Sequence, residues 1–185
     1  MRAGLPNAVD LPQSERLFLR EMTEEDLPVL RNILQDPEVM TAYEGPFSEA
    51  ETRAWLDKQL RRYAETGVGL WAVVRRDTGE MIGQCGLTWQ DVGAQAPVLE
   101  VGYLFLRAHW HQGYAAEAAR ACRDWAFSVL HADRVFSVIR DTNLPSQRVA
   151  QRNGMTVVGR FVKTYRGVEM PHLFYAVENP NLSRP

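Results

Sequence analysis

Cysteine is scarce in this chain. Only Cys85 and Cys122 occur among 185 residues, 37 positions apart and without a CxxC spacing, which excludes a disulfide-stapled scaffold and fits a reduced, cytoplasmic protein. No run approaches the ~18 consecutive apolar residues of a membrane span. The first ten residues carry one Arg and no apolar stretch, so no export signal is expected. Positive charge is not in excess either. Twenty-one Lys and Arg stand against 23 Asp and Glu, a net charge of -2, so no broad field exists to hold nucleic acid or an anionic membrane. Any anion must be gripped by a locally built site. Internal repeats and low-complexity tracts are also missing.

What is present is an ordinary globular mixture, 45% hydrophobic and 24% charged, at a length that suits one domain with its core over about residues 15–178. Residues 16–20 alternate like a half-buried strand. Thr23 followed by Glu24, Glu25 and Asp26 reads as a helix start, and Asp36-Pro37 ends that helix. Ser48 with Glu51 is a capping box opening a second helix, which Gly67 and Gly69 stop. Strands over 70–76 and 81–89 flank the turn Asp77-Thr78-Gly79-Glu80. A third apolar strand covers 98–106, and its Gly102 predicts a bulge or a close backbone approach. A helix over about 113–130, a β-branched strand over 134–139, a short helix over 144–152 and strands near 157–165 and 173–177 complete the chain. Adjacent strands imply an antiparallel meander, and the strand-helix-strand segment beginning at Val98 implies a parallel β-α-β crossover, hence a mixed α/β sheet. Ligands of such sheets gather at the carboxyl ends of parallel strands beside the crossover helix.

That place is the turn Trp110-His111-Gln112-Gly113-Tyr114-Ala115, which runs into Ala116-Glu117-Ala118-Ala119. First-turn N–H groups lack intrahelical partners and suit a phosphate, with Arg107, His109 and His111 as further donors. Taken alone the turn is equally a plain helix start. Together with Leu104-Phe105-Leu106 and the stretch from Asn143-Leu144-Pro145-Ser146 to Asn153-Gly154-Met155, it resembles the GNAT superfamily of acyl-CoA-dependent N-acyltransferases, near the ribosomal-protein N-terminal acetyltransferases. The resemblance spans residues 16–177. Trp110 departs from the Gln or Arg that usually opens the turn, and His111 stands where many members have Gly.

The resemblance implies a sheet splayed to hold acetyl-CoA, with no metal. The pantetheine arm would pair with the backbone of Leu104, Phe105 and Leu106, and with Asn143. The pyrophosphate would rest on the amides of His111, Gln112, Gly113, Tyr114, Ala115 and Ala116. Glu100 occupies the position of the water-mediated general base, and Ser146 that of the hydroxyl that protonates the leaving thiolate. Read without the family, Glu100 is better explained by an outward strand carboxylate paired with Arg, and Ser146 equally well by a helix-terminal residue. A carboxylate in so apolar a strand would have a raised pKa. At neutral pH an α-amine costs about 1.4 kcal/mol to deprotonate and a lysine about 4.6, so the α-amine is the easier acceptor.

The acceptor is expected between residues 40–47 and 163–172, shaped by Tyr43, Glu44, Trp89, Tyr165 and Arg166, with Glu44 attracting a cationic amine. Acceptor classes are a peptide N-terminus or a small-molecule amine, on a monomer or homodimer. The competing reading is a CoA-binding sensor without turnover, which needs the turn but neither Glu100 nor Ser146. Cys122 shares a helical face with Trp125, Ala126 and Val129 and reads as core. His109, His111, His131 and His172 lack metal-ligand spacing.

Overall fold

A computed structural model describes residues 10–92, 96–165 and 167–181. Residues 1–9, the loop at Gly93, Arg166 and the side chain of Tyr165 lie outside the described residues. The elements run in the order read from the sequence: β1 (Leu17–Arg20), α1 (Leu27–Leu34), α2 (Glu49–Thr66), β2 (Leu70–Arg75), β3 (Met81–Gln90), β4 (Val98–Phe105), α3 (Tyr114–Ser128), β5 (Arg134–Arg140), α4 (Leu144–Arg152), β6 (Thr156–Tyr165) and β7 (Val168–Glu178). The strands form one seven-stranded sheet ordered β1-β2-β3-β4-β5-β7-β6. Every neighbouring pair is antiparallel except β4 and β5.

Two apolar clusters hold the sheet between its helices. On one face, Trp71, Leu87, Leu99, Val101 and Phe105 pack under α3, which contributes Ala118, Ala119, Cys122 and Trp125. Trp71 and Trp125 meet edge to face with centroids 5.5 Å apart. Cys85 and Cys122, distant in sequence, bring their sulfurs to 3.7 Å inside this core, and burial pushes the Cys122 thiol up. On the other face, Leu70, Ala72 and Val74 pack under α1 and α2 through Leu30, Ile33, Leu34 and Leu56. The capping box of α2 forms as read: Ser48 Oγ accepts the Glu51 N–H and Glu51 returns a carboxylate to the Ser48 N–H.

Gly102 does not mark a bulge. The β3-β4 register runs unbroken from Gly83↔Phe105 to Gln90↔Val98, and a Cβ at Gly102 would meet only Leu70 Cδ2 at 3.6 Å. The close approach lies at its cross-strand partner Gly86, where a Cβ would run onto the Gly69 carbonyl oxygen. The register shift falls instead between Val73 and Val74 of β2. β7 also starts five residues before the sequence expectation, at Val168 and not Leu173. The Pro171 carbonyl accepts from Asp141 N at 3.0 Å, just beyond the end of β5, so the missing proline N–H interrupts no β5 ladder bond.

Candidate active site

The parallel pair β4-β5 holds a single registered position, Glu100↔Phe136. Past it the strands part, and side chains replace main-chain partners. Ser137 Oγ donates to Val101 O at 3.0 Å, and Val138 N donates to Glu100 Oε1 at 3.2 Å. Glu100 therefore sits where the sheet splits, and its carboxylate takes an amide that a continuing ladder would have used. Desolvation raises its pKa to about 7, with the Val138 N–H, Lys163 and Arg62 pulling it back.

The edge of β4 that lines the split follows from alternation. Leu106 N bonds Ile82 O at 3.0 Å, so Leu106 and, two residues back, Leu104 direct their backbone groups to β3. Val101, Tyr103 and Phe105 face β5. Of the three positions expected to pair with a pantetheine arm, only Phe105 points into the opening, and Tyr103 takes the place of Leu104 and Leu106. The Phe105 carbonyl is already engaged by Trp110 Nε1 at 3.0 Å. Trp110 is thus a packing residue that caps the strand end.

Across the mouth, Tyr103 Oη donates to the Ser146 carbonyl at 2.9 Å, tethering the first turn of α4 to β4. Burial pushes the Tyr103 phenol well above its ordinary pKa. Asn143 caps α4, its Oδ1 accepting Ser146 N at 3.2 Å. Tyr103 thereby ties the start of α4, with Asn143 and Ser146, to β4 three residues beyond Glu100.

α3 starts at Tyr114 with no side-chain cap. His111 (φ 61°) and Gly113 (φ 82°) are both left-handed, a backbone in which successive N–H groups turn to one side and form an anion-binding concavity. The turn is held from outside by the chain ahead of β1. Arg16 donates both Nη groups to Gln112 O at 3.1 Å and Nε to Glu117 Oε2 at 2.7 Å, and its guanidinium lies 4.4 Å from the Tyr114 ring centroid. Nothing in the spacing of Arg16 pointed to this. Arg107 and His109 do not serve the turn: Arg107 pairs with Glu38 and Asp36, and His109 Nε2 lies 3.6 Å from Glu80.

A family model described as the acetyltransferase (GNAT) domain matches residues 16–156. The chain belongs to the GNAT acetyltransferase family. It is 38% identical to the uncharacterized protein YkkB of Bacillus subtilis over 91% of this chain and 95% of that protein. It is 32% identical to the uncharacterized N-acetyltransferase p20 of Bacillus licheniformis over 72% and 75% of the two chains. The crystal structure of an acetyltransferase from Agrobacterium tumefaciens superposes with a TM-score of 0.77 at 30% identity, covering 96% of this chain and 99% of that one. The acyltransferase assignment and the mixed α/β fold follow. The match stops at residue 156, so nearly all of the final hairpin lies outside it.

On the acceptor face of this acetyltransferase the residues group differently from expectation. Thr88 is opposite Glu100 in the β3-β4 ladder and Trp89 is opposite Leu99. Side chains alternate along a strand, so Trp89, half exposed, lies on the α3 face and not beside Glu100. Glu44 is ion-paired with Arg140, so its charge is not held ready for a cationic amine. Tyr43 meets Phe47 and Trp55 edge-on, with centroids about 6 Å away. The residues missed are Phe136 and Phe174, stacked at 4.7 Å, and Phe161, 6.4 Å from Phe174. They form a half-buried aromatic floor next to Glu100. Among the described residues no group of His, Cys, Asp or Glu could hold a metal ion, and no helix is long and apolar enough to cross a membrane.

Proposed function

We propose that this chain transfers an acetyl group from acetyl-CoA to a primary amine by direct attack of the amine, with Glu100 as base. The observation that carries the proposal is the coincidence, at the one place where the sheet splits, of a carboxyl with a pKa of about 7 and an open strand edge. The donor fits what the chain offers. The uncapped first turn of α3 presents the N–H groups of His111, Gln112, Gly113, Tyr114, Ala115 and Ala116 to a diphosphate, and the Tyr103 and Phe105 backbone edge accepts an extended amide arm as an added strand. Asn143, which caps α4 beside Ser146, would serve the arm's polar groups.

The donor supplies an activated acetyl thioester. Ionised Glu100, through a water, takes the ammonium proton and leaves a neutral nitrogen to attack the carbonyl carbon. The N–H of Tyr103 or Phe105 steadies the oxyanion. As the carbon-sulfur bond breaks, Ser146 Oγ gives its proton to the departing sulfur and is reprotonated, through water, by the second proton that the nitrogen sheds on becoming an amide. A sensor of CoA would need the α3 turn but not a tuned carboxyl at the split, and Glu100 therefore favours the enzyme. Thiol release in the presence of primary amines tests the reading. Turnover by wild type, with retained CoA binding and lost turnover in Glu100→Gln, supports it. Binding of acetyl-CoA with no thiol release for any amine overturns it.

A further inference from the structure

On the sheet face of Glu100 lie cations that, among the described residues, form no ion pair. Side chains alternate across the sheet, so register decides which residues share its face. Glu100 aligns with Phe136 on β5, Val138 with Phe174 on β7, and Phe161 and Lys163 of β6 with His172 and Met170. Lys163 thus stands on the sheet face of Glu100, beyond the aromatic floor. From the other side, α2 brings Lys58 and Arg62, four residues apart and hence on one helical face. The ion pairs of the described residues use other cations throughout. Among the described residues Arg62 donates only to the neutral Gln59 amide oxygen, at 3.3 Å.

Lys163 and Arg62 act on the Glu100 carboxyl, and Lys58 feels both of those cations. Lys58 is held below its ordinary pKa, first by desolvation and then by Arg62, Lys163 and Arg61 as like charges. Arg62 is likewise lowered by desolvation, with Glu100 opposing. Of the acids on this side, Glu44 is taken by Arg140 and Glu100 has its own role, while Asp141 acts on His172. His172 is kept below its ordinary pKa by burial, with Lys163 and Arg140 adding to that, so it contributes no positive charge at neutral pH. Three cations around one ionised carboxylate leave a net positive basin beside the point where a neutral amine must form. A polycationic amine is repelled there, and an acceptor with its own negative charge completes the balance.

We propose that the acceptor is a primary amine carrying an anionic group, carboxylate or phosphate, which Lys58, Arg62 and Lys163 hold while the nitrogen lies against Glu100. The proposal rests on the transferase reading above.

The test is steady-state thiol release at low and high salt with matched amines. One arm pairs β-alanine with β-alaninamide, and phosphoethanolamine with ethanolamine. A second arm pairs the peptides Ala-Asp-Ala and Ala-Asn-Ala as C-terminal amides, and spermidine serves as the polycation. The anionic member of at least one pair is expected to show a kcat/KM about tenfold above its neutral partner, mostly through KM, with the ratio shrinking in salt. The arm in which the preference appears tells a small acceptor from a peptide N-terminus. The double variant Lys58→Gln/Lys163→Gln, at two exposed positions, is expected to bring that ratio toward one while still binding acetyl-CoA. Equal or better turnover of the neutral partners or of spermidine overturns the acceptor proposal alone. So does a preference that survives the double variant. No turnover of any amine overturns the transferase reading and this proposal with it.

Discussion

Replacing Glu100 with Gln sets stability against activity, and the size of the exchange can be worked from the fold. The carboxyl has an ordinary pKa of 4.5 and a folded value of about 7, raised by desolvation. Between those values the folded chain keeps a proton that the unfolded chain has lost. Stability is therefore fully present below pH 4.5 and declines as pH rises through about 7. At 1.36 kcal/mol per pH unit the gap costs about 3 kcal/mol once the pH is above 7. Gln keeps an oxygen to accept the Val138 N–H and has no charge to desolvate. Glu100→Gln is expected to match wild type near pH 4.5 and to exceed it by up to about 3 kcal/mol at pH 8, read by urea unfolding at several pH values. Over the same range wild-type kcat/KM for the amine rises as the carboxyl ionises and levels above about pH 7, while the variant loses about 100-fold or more. A stability difference that does not change with pH, or an amine profile without an inflection near 7, refutes the reasoning.

Arg16→Ala removes the guanidinium from Gln112 O and leaves Glu117 without its cation beside the anion-binding turn; the KM for acetyl-CoA is expected to rise about tenfold with kcat little changed, as checked by initial rates. Gly86→Ala drives a Cβ onto the Gly69 carbonyl and should cost several kcal/mol, on the order of 4, whereas Gly102→Ala meets ordinary van der Waals contact and should melt close to wild type. Tyr63→Phe removes a buried hydroxyl that donates to Leu70 O and accepts Met22 N at 3.3 Å; leaving those groups unpaired should cost about 1–3 kcal/mol in denaturant unfolding.

The order of elements was readable because caps and breakers act locally. Ser48, Glu51, Gly67 and the turn at residues 77–80 each fix a boundary by their own conformational demands. What depended on register was not readable. Trp89 and Glu100 both looked like acceptor-side residues, and only the pairing Trp89↔Leu99 shows that they occupy opposite faces. Leu104 and Leu106 were expected to line the split, but the bond from Leu106 N to Ile82 O gives that edge to Tyr103 and Phe105. Gly102 gave a glycine signal whose cause lies in its partner Gly86. The family resemblance supplied Glu100, Ser146 and the α3 turn, while the Arg16 clamp and the aromatic floor come from elements far apart in sequence. The spacing of Lys58, Arg61 and Arg62 was visible on α2, but a cationic stripe on a helix ordinarily faces only solvent, and nothing in sequence brings Lys163 opposite it.

Whether the first turn of α3 and the split beside it grip acetyl-CoA is decided by isothermal titration calorimetry of acetyl-CoA into folded wild-type protein at neutral pH. Saturable uptake of one molecule per chain is expected, weakened in Arg16→Ala and retained in Glu100→Gln. Absence of binding by protein that unfolds cooperatively would contradict it.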